Sequence, residues 1–265
     1  PVILHFHGYD ASQALRKPAY KRRLQELLVQ PNIIPLSCNQ FFANRLAGVL
    51  RLPVHKFNVL RYGINCDLFK RKEEADSGSE KIFLQVSSFS EKKGHQFTLK
   101  AFSIFLKNTG RRDCRLIFAG DGARRADMER YSAELGIYNH VHFAGIASPE
   151  EAVNLLQRAN VFVHHSVTAA NGDMDGIPNS IIEAMAMQLP VVSTYHSGIP
   201  ELVENKINGY LVKEHDVIDY ANKMEKALAM GLLPANREKV IQFYELNKQN
   251  ELLEEFYIFN CKDNE

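Results

Sequence analysis

The sequence predicts an α/β fold built from Rossmann-like layers. Short buried strands alternate with helices along most of the chain, and turns or polar loops follow the strands. Strands joined through helices pair in parallel, because a helical crossover returns the chain to the same end of the sheet. The pattern predicts strands at residues 2–6, 32–37, 57–60, 81–86, 114–119, 140–143, 161–164, 190–193 and 209–212.

Apolar residues at helical spacing predict the helices between these strands. The start at residues 148–151 is the most specific, since Ser148 suits a cap, Pro149 the first helical position, and Glu151 completes a capping box. The predicted helices cover residues 18–29, 39–50, 94–108, 123–135, 149–158, 216–229 and 236–259, and two further helices begin at 178 and near 199.

Residues 65–80 interrupt the alternation with charged and small side chains, and we interpret them as a linker between two domains. The first domain then covers residues 1–64 and the second 81–235, while 236–265 form a C-terminal helix that can cross back to the first domain. The chain opens at Pro1, without an initiator methionine and directly on a strand of central character. We therefore expect the first domain to be incomplete in this chain.

The composition argues against two classes of partner or location. Lys and Arg number 32 and Asp and Glu number 31, so the overall charge does not support a nucleic-acid partner. No apolar run approaches the roughly 20 residues that span a bilayer. The four cysteines form neither a metal-binding pattern nor a disulfide framework, which favours the reducing cytoplasm.

A basic cluster at the first predicted helix has two interpretations. It forms either a solvated face or a contact with an anionic membrane surface. We therefore expect a cytoplasmic protein, either free or peripheral at the inner face of the membrane. The cluster consists of Arg16, Lys17, Lys21, Arg22 and Arg23.

The stretch from 172 to 203 carries the strongest signal of a ligand site. It predicts a polar loop, a helix opening at Pro178, a buried strand, and a second loop that runs into a helix near Ile199. Asp175 and Glu183 flank the N-terminus of the first helix, whose leading N–H groups lack helical partners and suit an anion. Such donors beside carboxylates fit a sugar nucleotide, although Glu183 taken alone could simply complement the helix dipole.

Five segments, in order and at the right spacing, resemble the retaining GT-B glycosyltransferases of family 4, especially the bacterial enzymes that build exopolysaccharides such as colanic acid or amylovoran. They are VSSFSEKKG (86–94), FAGDG (118–122), VHFAG (141–145), GDMDGIPNSIIEAMAMQLPVVST (172–194) and HSGIPELV (196–203). Residues 6–10 and 36–69 look like the end of the N-terminal domain of these enzymes. The resemblance implies a GT-B architecture of two Rossmann-like domains, with an incomplete acceptor-side domain at 1–64 and a donor-binding domain at 81–235.

The resemblance also implies roles for individual residues. Lys93 would balance the charge on the departing diphosphate, and Glu183 would lie near the ribose. Asp175, a glutamate in most of the family and so shorter by about 1.5 Å, would lie near the donor-sugar hydroxyls. His7 would hydrogen-bond a sugar hydroxyl or stabilise charge. We assign His7, Lys93 and Asp175 as catalytic, and as donor-binding Gly8, Ser88, Gly176, Ile177, Pro178, Asn179 and Glu183.

Ser88 departs from the family pattern, because the family has an arginine five residues before the lysine. The loss of one charge about 4 Å from a phosphate removes roughly 4 kcal/mol of gross Coulomb energy at an effective dielectric constant of 20. Lys92 and Arg61 are candidates to replace that charge. His196 and Gly198 are expected in a loop that faces the same cleft, and Glu201 is expected either to cap its helix or to meet the ligand.

The expected reaction is retaining transfer of a sugar from a nucleotide-sugar donor to a carbohydrate or lipid-linked saccharide acceptor, in cell-surface polysaccharide synthesis. Asp173-Met174-Asp175 also matches the Asp-x-Asp metal motif of the other large glycosyltransferase fold. It precedes a helix in a segment that resembles a metal-independent family, so we expect no metal or other cofactor. Two other functions remain open, a non-catalytic nucleotide-sugar-binding module and a sugar-nucleotide epimerase.

Overall fold

The computed structural model of the chain describes residues 1–72 and 79–261. Within them the backbone forms two parallel sheets, which confirms the predicted α/β class. The first sheet contains, in spatial order, β1 (Val2–Phe6), β2 (Ile33–Ser37) and β3 (Asn58–Val59). The second sheet contains β4 (Lys81–Val86), β5 (Cys114–Ala119), β6 (Val141–Gly145), β7 (Val161–Val163), β8 (Val191–Thr194) and β9 (Gly209–Val212).

The helices between the strands begin and end close to the predicted positions, with one exception given below. They are α1 (Pro18–Leu28), α2 (Gln40–Leu50), α3 (His95–Thr109), α4 (Arg125–Glu134), α5 (Pro149–Arg158), α6 (Asn179–Ala186), α7 (Ile199–Leu202), α8 (Val217–Met230), α9 (Pro234–Phe243) and α10 (Leu246–Cys261). The capping box predicted at α5 is present, with Ser148 N donating to the Glu151 carboxylate at 2.7 Å and Glu151 N to Ser148 Oγ at 3.2 Å. Among the helices described, none has the length and apolar character that crossing a bilayer demands.

The second sheet is buried on both faces, which explains why its strands read as almost continuous apolar runs. On one face Ile82 and Leu84 of β4 pack with α5, α6 and α9. On the other face Phe83 packs with α3 and α8. A smaller core joins the first sheet to α1 and α2.

The strand order of the second sheet creates a crevice at one point of its edge. The order is β6-β5-β4-β7-β8-β9, with all neighbours parallel. The chain moves outward from β4 in one direction and from β7 in the other, so the loops that leave the carboxyl ends of these two strands diverge. Ligands of doubly wound sheets bind in such a crevice. We call residues 87–94 the lysine loop and residues 164–178 the aspartate loop.

The prediction of one continuous helix over 236–259 is wrong, because the chain breaks between α9 and α10. At the break Ile64 N donates to Tyr244 O at 2.9 Å, and Leu246 N donates to Ile64 O at 3.0 Å. These bonds to a distant residue replace the hydrogen bonds of a continuous helix, and the Tyr244 side chain is buried there. Helix α10 then runs against the first sheet, where His5 Nε2 lies 3.1 Å from the Tyr257 hydroxyl.

The predicted linker at 65–80 falls partly on residues 73–78, which lie outside the described residues. Its first part is packed against the second sheet's core, since Cys66 and Phe69 are buried. The Arg237 guanidinium of α9 donates to the Cys66 carbonyl at 2.9 Å and to the Phe69 carbonyl at 2.7 Å. This part of the chain is therefore fixed to α9.

The start of α2 joins residues 1–64, the N-terminal unit, to residues 79–243, the C-terminal unit. Asn39 caps α2 by accepting a hydrogen bond from Phe42 N at 2.8 Å. The next two free amides, of Gln40 and Phe41, donate to the Glu201 carboxylate at 3.2 and 2.9 Å. Glu201 therefore caps a helix of the opposite unit, where it satisfies N–H groups that have no partner within the helix. Glu201 does not cap its own helix, and the alternative that it meets the ligand stays a prediction.

Candidate functional site

Four charged side chains bridge the crevice between the lysine loop and the aspartate loop. The Lys93 ammonium lies 2.8 Å from Asp175 Oδ2. The Lys92 ammonium lies 3.4 Å from Asp175 Oδ1 and 2.9 Å from Asp173 Oδ2. The structure thus brings together two of the predicted catalytic residues, Lys93 and Asp175, at the point where the strand order reverses. We call these four side chains the charge cluster.

The pairing decides the ionisation of the cluster. Burial alone would raise the pKa of Asp175, but the Lys93 ammonium, together with Lys92, outweighs burial and lowers this pKa below its usual value. Burial also opposes the charge on Lys92, yet Asp175 and Asp173 raise the pKa of Lys92 above its ordinary value. Asp175 is therefore a carboxylate and Lys92 an ammonium at neutral pH.

The backbone of the lysine loop is held from the interior of the sheet. Gln85 of β4 is fully buried, and its side chain donates to the Lys93 carbonyl at 2.9 Å and accepts from Thr98 Oγ1 at 2.9 Å. Gly94 follows with φ of 61°, and a Cβ at this position would lie 1.8 Å from the His165 carbonyl oxygen. The position of Lys93 is thus determined by packing before any ligand arrives.

The aspartate loop is attached to the lysine loop by hydrogen bonds besides the charge cluster. Val167 N donates to the Lys92 carbonyl at 2.9 Å. Ala170 N donates to Glu91 Oε1 at 2.9 Å. The two loops therefore form one bonded surface, and the aspartates project from a backbone that is fixed on the lysine side.

Helix α6 begins directly after the aspartate loop. Its first residue is Asn179, with Pro178 preceding it, and no side chain among the described residues caps this end. The first N–H groups of a helix have no partner within it and favour an anion. Gly176 lies against the N-terminal unit, because a Cβ there would be 3.2 Å from Asn39 Nδ2, and the Ile177 side chain is buried. The helix end that the sequence predicts thus opens beside the charge cluster.

Glu183 lies on the second turn of α6. Burial raises the pKa of Glu183 from its ordinary value of 4.5 to about 7. This carboxyl group is therefore about half protonated in neutral solution. A ligand hydroxyl that donates to it would favour the carboxylate form, which is the role that the sequence predicts for Glu183 beside a ribose.

Replacement of Glu183 by glutamine should change the pH dependence of stability. Because the folded pKa of about 7 exceeds 4.5, the stability that Glu183 contributes is fully present below pH 4.5 and is lost as the pH rises through about 7. The complete loss amounts to about 3 kcal/mol. Thermal unfolding at pH about 5 and about 8 should show that the stability of Glu183→Gln, measured relative to the wild type, is greater at the higher pH. The control Glu254→Gln, at an exposed position of α10, should show the same pH dependence of stability as the wild type. If Glu183→Gln also shows the wild-type pH dependence, the pKa of Glu183 is not raised.

The loop after β1 carries the third predicted catalytic residue, His7. Its ring stacks on that of Tyr62, with centroids 5.6 Å apart and planes at 7°, and its Nδ1 is hydrogen-bonded to the Tyr62 hydroxyl. The adjacent Gly8 touches the aspartate loop, because a Cβ there would lie 3.0 Å from the Met174 carbonyl oxygen. Met174 N donates in turn to Ser12 Oγ at 3.2 Å. The loop of His7 thus packs against the residue that precedes Asp175.

The structure distinguishes between the two candidates to replace the charge missing at Ser88. Ser88 is an exposed residue of the lysine loop. Arg61 lies 3.7 Å from Glu201 and over the ring of Tyr244. Lys92, in contrast, contacts the Asp175 carboxylate that Lys93 also contacts. Of the two candidates, Lys92 is therefore the one that lies at the charge cluster.

Buried histidines lie behind the cluster, and sequence reasoning missed most of them. His164 is fully buried and within 3.0 Å of Ser166 Oγ through its Nδ1, and burial lowers its pKa well below the ordinary value. His196 is also buried, with Nδ1 2.7 Å from Glu214 Oε1. The His196 side chain is therefore enclosed beside Glu214, and the position of its loop at the cleft stays a prediction.

Comparison with known proteins identifies relatives of this chain. The family model for glycosyl transferases group 1 matches residues 67–243. The amylovoran biosynthesis glycosyltransferase AmsK of Erwinia amylovora is 34% identical over 211 residues, which cover 80% of this chain and 51% of AmsK. The glycosyltransferase WcaL of Escherichia coli (strain K12), named for colanic acid biosynthesis, is 33% identical over 221 residues, covering 83% of this chain and 53% of WcaL. The chain thus spans about half the length of these relatives.

Solved structures show the same fold. A glycosyltransferase from Rickettsia africae ESF-5 superposes with a TM-score of 0.82 at 22% identity, over 99% of this chain and 71% of that one. Anabaena Alr3699/HepE, in complex with UDP and glucose, gives a TM-score of 0.78 at 18% identity, over 97% of this chain and 71% of that one. These similarities confirm the GT-B architecture. The family-model match over residues 67–243 and the relatives at 34% and 33% identity lead to one conclusion: the chain belongs to the family of glycosyl transferases group 1.

Proposed function

We propose that the protein is a retaining glycosyltransferase of family 4 that moves a sugar from a nucleotide-sugar donor to a saccharide or lipid-linked saccharide acceptor in cell-surface polysaccharide synthesis. The observation that carries the proposal is the charge cluster, with Lys93 and Asp175 beside the start of α6 at the switch point of the second sheet. The relatives named for amylovoran and colanic acid biosynthesis support the polysaccharide context. The Anabaena neighbour in complex with UDP and glucose supports the donor class.

The donor diphosphate would lie between Lys93 and the first N–H groups of α6, and Glu183 would accept hydrogen bonds from the ribose. Asp175 would lie near the hydroxyls of the donor sugar, and His7 would hydrogen-bond a sugar hydroxyl or stabilise charge. When the bond from the anomeric carbon to the phosphate oxygen breaks, the electron pair leaves with the diphosphate, whose growing charge the Lys93 ammonium stabilises. The acceptor oxygen forms the new bond on the same face of the sugar, and its proton passes to the departing phosphate oxygen. Retention follows because attack and departure share that face.

The proposed reaction uses no metal ion. Both aspartates of the Asp-x-Asp segment contact lysine ammonium groups, at 2.8 to 3.4 Å. Within the described ranges, no group of three or more Cys, His, Asp and Glu residues could hold a metal ion. Lysine would thus supply the positive charge that other glycosyltransferases take from a metal ion. We place the protein in the cytoplasm, free or at the inner face of the membrane.

Transfer of a radiolabelled sugar tests the proposal. The complete protein is incubated with a panel of UDP- and GDP-sugars and a saccharide or lipid-linked saccharide acceptor, with and without a chelator. We expect a labelled product, in equal yield with chelator, whose new linkage keeps the anomeric configuration of the donor when measured by NMR. Donor binding without transfer or hydrolysis would instead identify a nucleotide-sugar-binding module, and release of an altered nucleotide sugar would identify an epimerase.

A further inference from the structure

We propose that Lys92 is a second diphosphate-binding cation of the donor site and that Asp173 holds its ammonium in position until the donor displaces this carboxylate. The inference rests on the proposed function, because it assigns a further residue to the same site. Three observations support it: the arrangement of the two ammonium groups, their accessibility, and the incomplete bonding of Asp173.

The two ammonium groups are arranged as a pair. Lys92 and Lys93 contact the two oxygens of one carboxylate, Asp175, at 3.4 and 2.8 Å. Because those oxygens belong to one carboxylate group, the ammonium nitrogens lie less than about 9 Å apart. Two cations at that separation suit an anion with charge on two neighbouring groups, which describes a diphosphate.

The cluster is accessible yet partly withdrawn from water. The Lys92 and Lys93 side chains are 24% and 16% exposed, and that of Asp175 is 10% exposed. Part of each lysine side chain is therefore open to a ligand, and limited hydration strengthens the attraction of such a lysine to phosphate compared with a lysine on the open surface.

Asp173 is bound in a way that permits exchange. Its Oδ2 lies 2.9 Å from the Lys92 ammonium, whereas its buried Oδ1 has no hydrogen-bond partner among the described residues. A carboxylate held mainly by one partly exposed ion pair is bound weakly. A diphosphate that carries more charge than this carboxylate can displace it from Lys92.

The backbone and side chain of Lys92 have separable roles. The Lys92 carbonyl accepts from Val167 N at 2.9 Å and helps to join the two loops. That bond does not depend on the side chain, so substitutions at position 92 keep it. Variants of Lys92 therefore test the ammonium group itself.

Calorimetric titration with UDP, and with GDP in parallel, tests the role of the ammonium. Lys92→Met should weaken UDP binding by about tenfold to a hundredfold, the range for a lost charged hydrogen bond, and should reduce the salt dependence of binding. Lys92→Arg should keep most of the affinity because it keeps the charge. Lys107→Met, at an exposed position near the end of α3, is the matched control and should bind as the wild type does.

The substitution Asp173→Asn separates a ligand-binding role from a structural one. If Lys92 binds the diphosphate, removal of its competing carboxylate should tighten UDP binding by about twofold to fivefold, the range for a partly exposed ion pair. The same substitution in a Lys92→Met background should change the affinity little. If Lys92 only supports the aspartate loop, Asp173→Asn should weaken binding as Lys92→Met does.

The outcomes distinguish this inference from the proposed function. Wild-type binding of UDP or GDP that Lys93→Met weakens and Lys92→Met leaves unchanged would overturn the role of Lys92 while the proposed function stands. Weaker binding by Asp173→Asn would overturn it as well. A wild-type protein that binds neither nucleotide, although its thermal unfolding shows it to be folded, would overturn both proposals.

Discussion

Lys93→Met should lower the rate constant of sugar transfer by about a hundredfold to a thousandfold, the loss typical of one removed group that stabilises transition-state charge. The ammonium lies at the switch point and pairs with Asp175 at 2.8 Å. Gln85 holds the backbone of Lys93 by donating a hydrogen bond to its carbonyl. Charge on the diphosphate grows as the sugar departs, so the effect should fall on kcat more than on donor KM. Single-turnover transfer of labelled sugar measures it.

The same substitution removes a partner of a buried carboxylate, so stability and catalysis must be separated. The Asp175 side chain is buried apart from 10% of its surface, and its partial loss of pairing should destabilise the fold by about 1–3 kcal/mol. The double variant Lys93→Met, Asp175→Asn should recover most of that stability and none of the transfer. Lys93→Met transferring sugar at close to the wild-type rate would remove Lys93 from the mechanism.

Gly94→Ala should destabilise the protein by about 3–4 kcal/mol, through a left-handed backbone and a collision with another backbone group. Gly94 has φ of 61°, and the added Cβ would lie 1.8 Å from the His165 carbonyl oxygen. The carbonyl belongs to the aspartate loop, so relief of the clash must separate the two loops of the site. Thermal unfolding should show a midpoint lower by about 10 °C, together with weaker donor binding.

Gly110→Ala is a matched control for this substitution. Gly110 follows α3 with φ of 66°, and a Cβ there would meet no atom within 4 Å. Alanine at this position carries the backbone strain of a left-handed residue but does not collide with another group. The strain alone amounts to about 1–2 kcal/mol. Equal destabilisation by the two substitutions would show that the loops separate easily, contrary to the close packing described here.

The sequence predicts those parts of the fold that depend on local pattern. The strands of the second sheet are apolar because they are buried on both faces, and the start of α5 carries its own capping signal. The break after α9 has no such signal, because it is made by hydrogen bonds from Ile64, far away in sequence. Helix pattern alone therefore predicts one helix where the chain forms two.

In the candidate site, too, some residues are identifiable from local sequence, whereas other contacts arise only when the chain folds. Lys93, Asp175 and Glu183 are identifiable from motif spacing, since each lies in a segment that resembles the family. The pairing of Lys92 with Asp173 is not, because their loops leave different strands and meet only when the sheet forms. Gln85 was missed for the related reason that its partner, the Lys93 carbonyl, is a backbone group. A single buried glutamine in the otherwise apolar end of β4 is the signal that could have revealed it.

The central claim is that a nucleotide-sugar donor binds in the crevice between the lysine loop and the aspartate loop. Hydrogen exchange, followed by mass spectrometry with and without the donor found by calorimetry, tests this claim directly. We expect slower exchange of the backbone amides in residues 86–94 and 172–187 on donor binding. Saturable donor binding that leaves both segments unchanged, and protects instead the cavity between the first sheet and α10, would contradict the account.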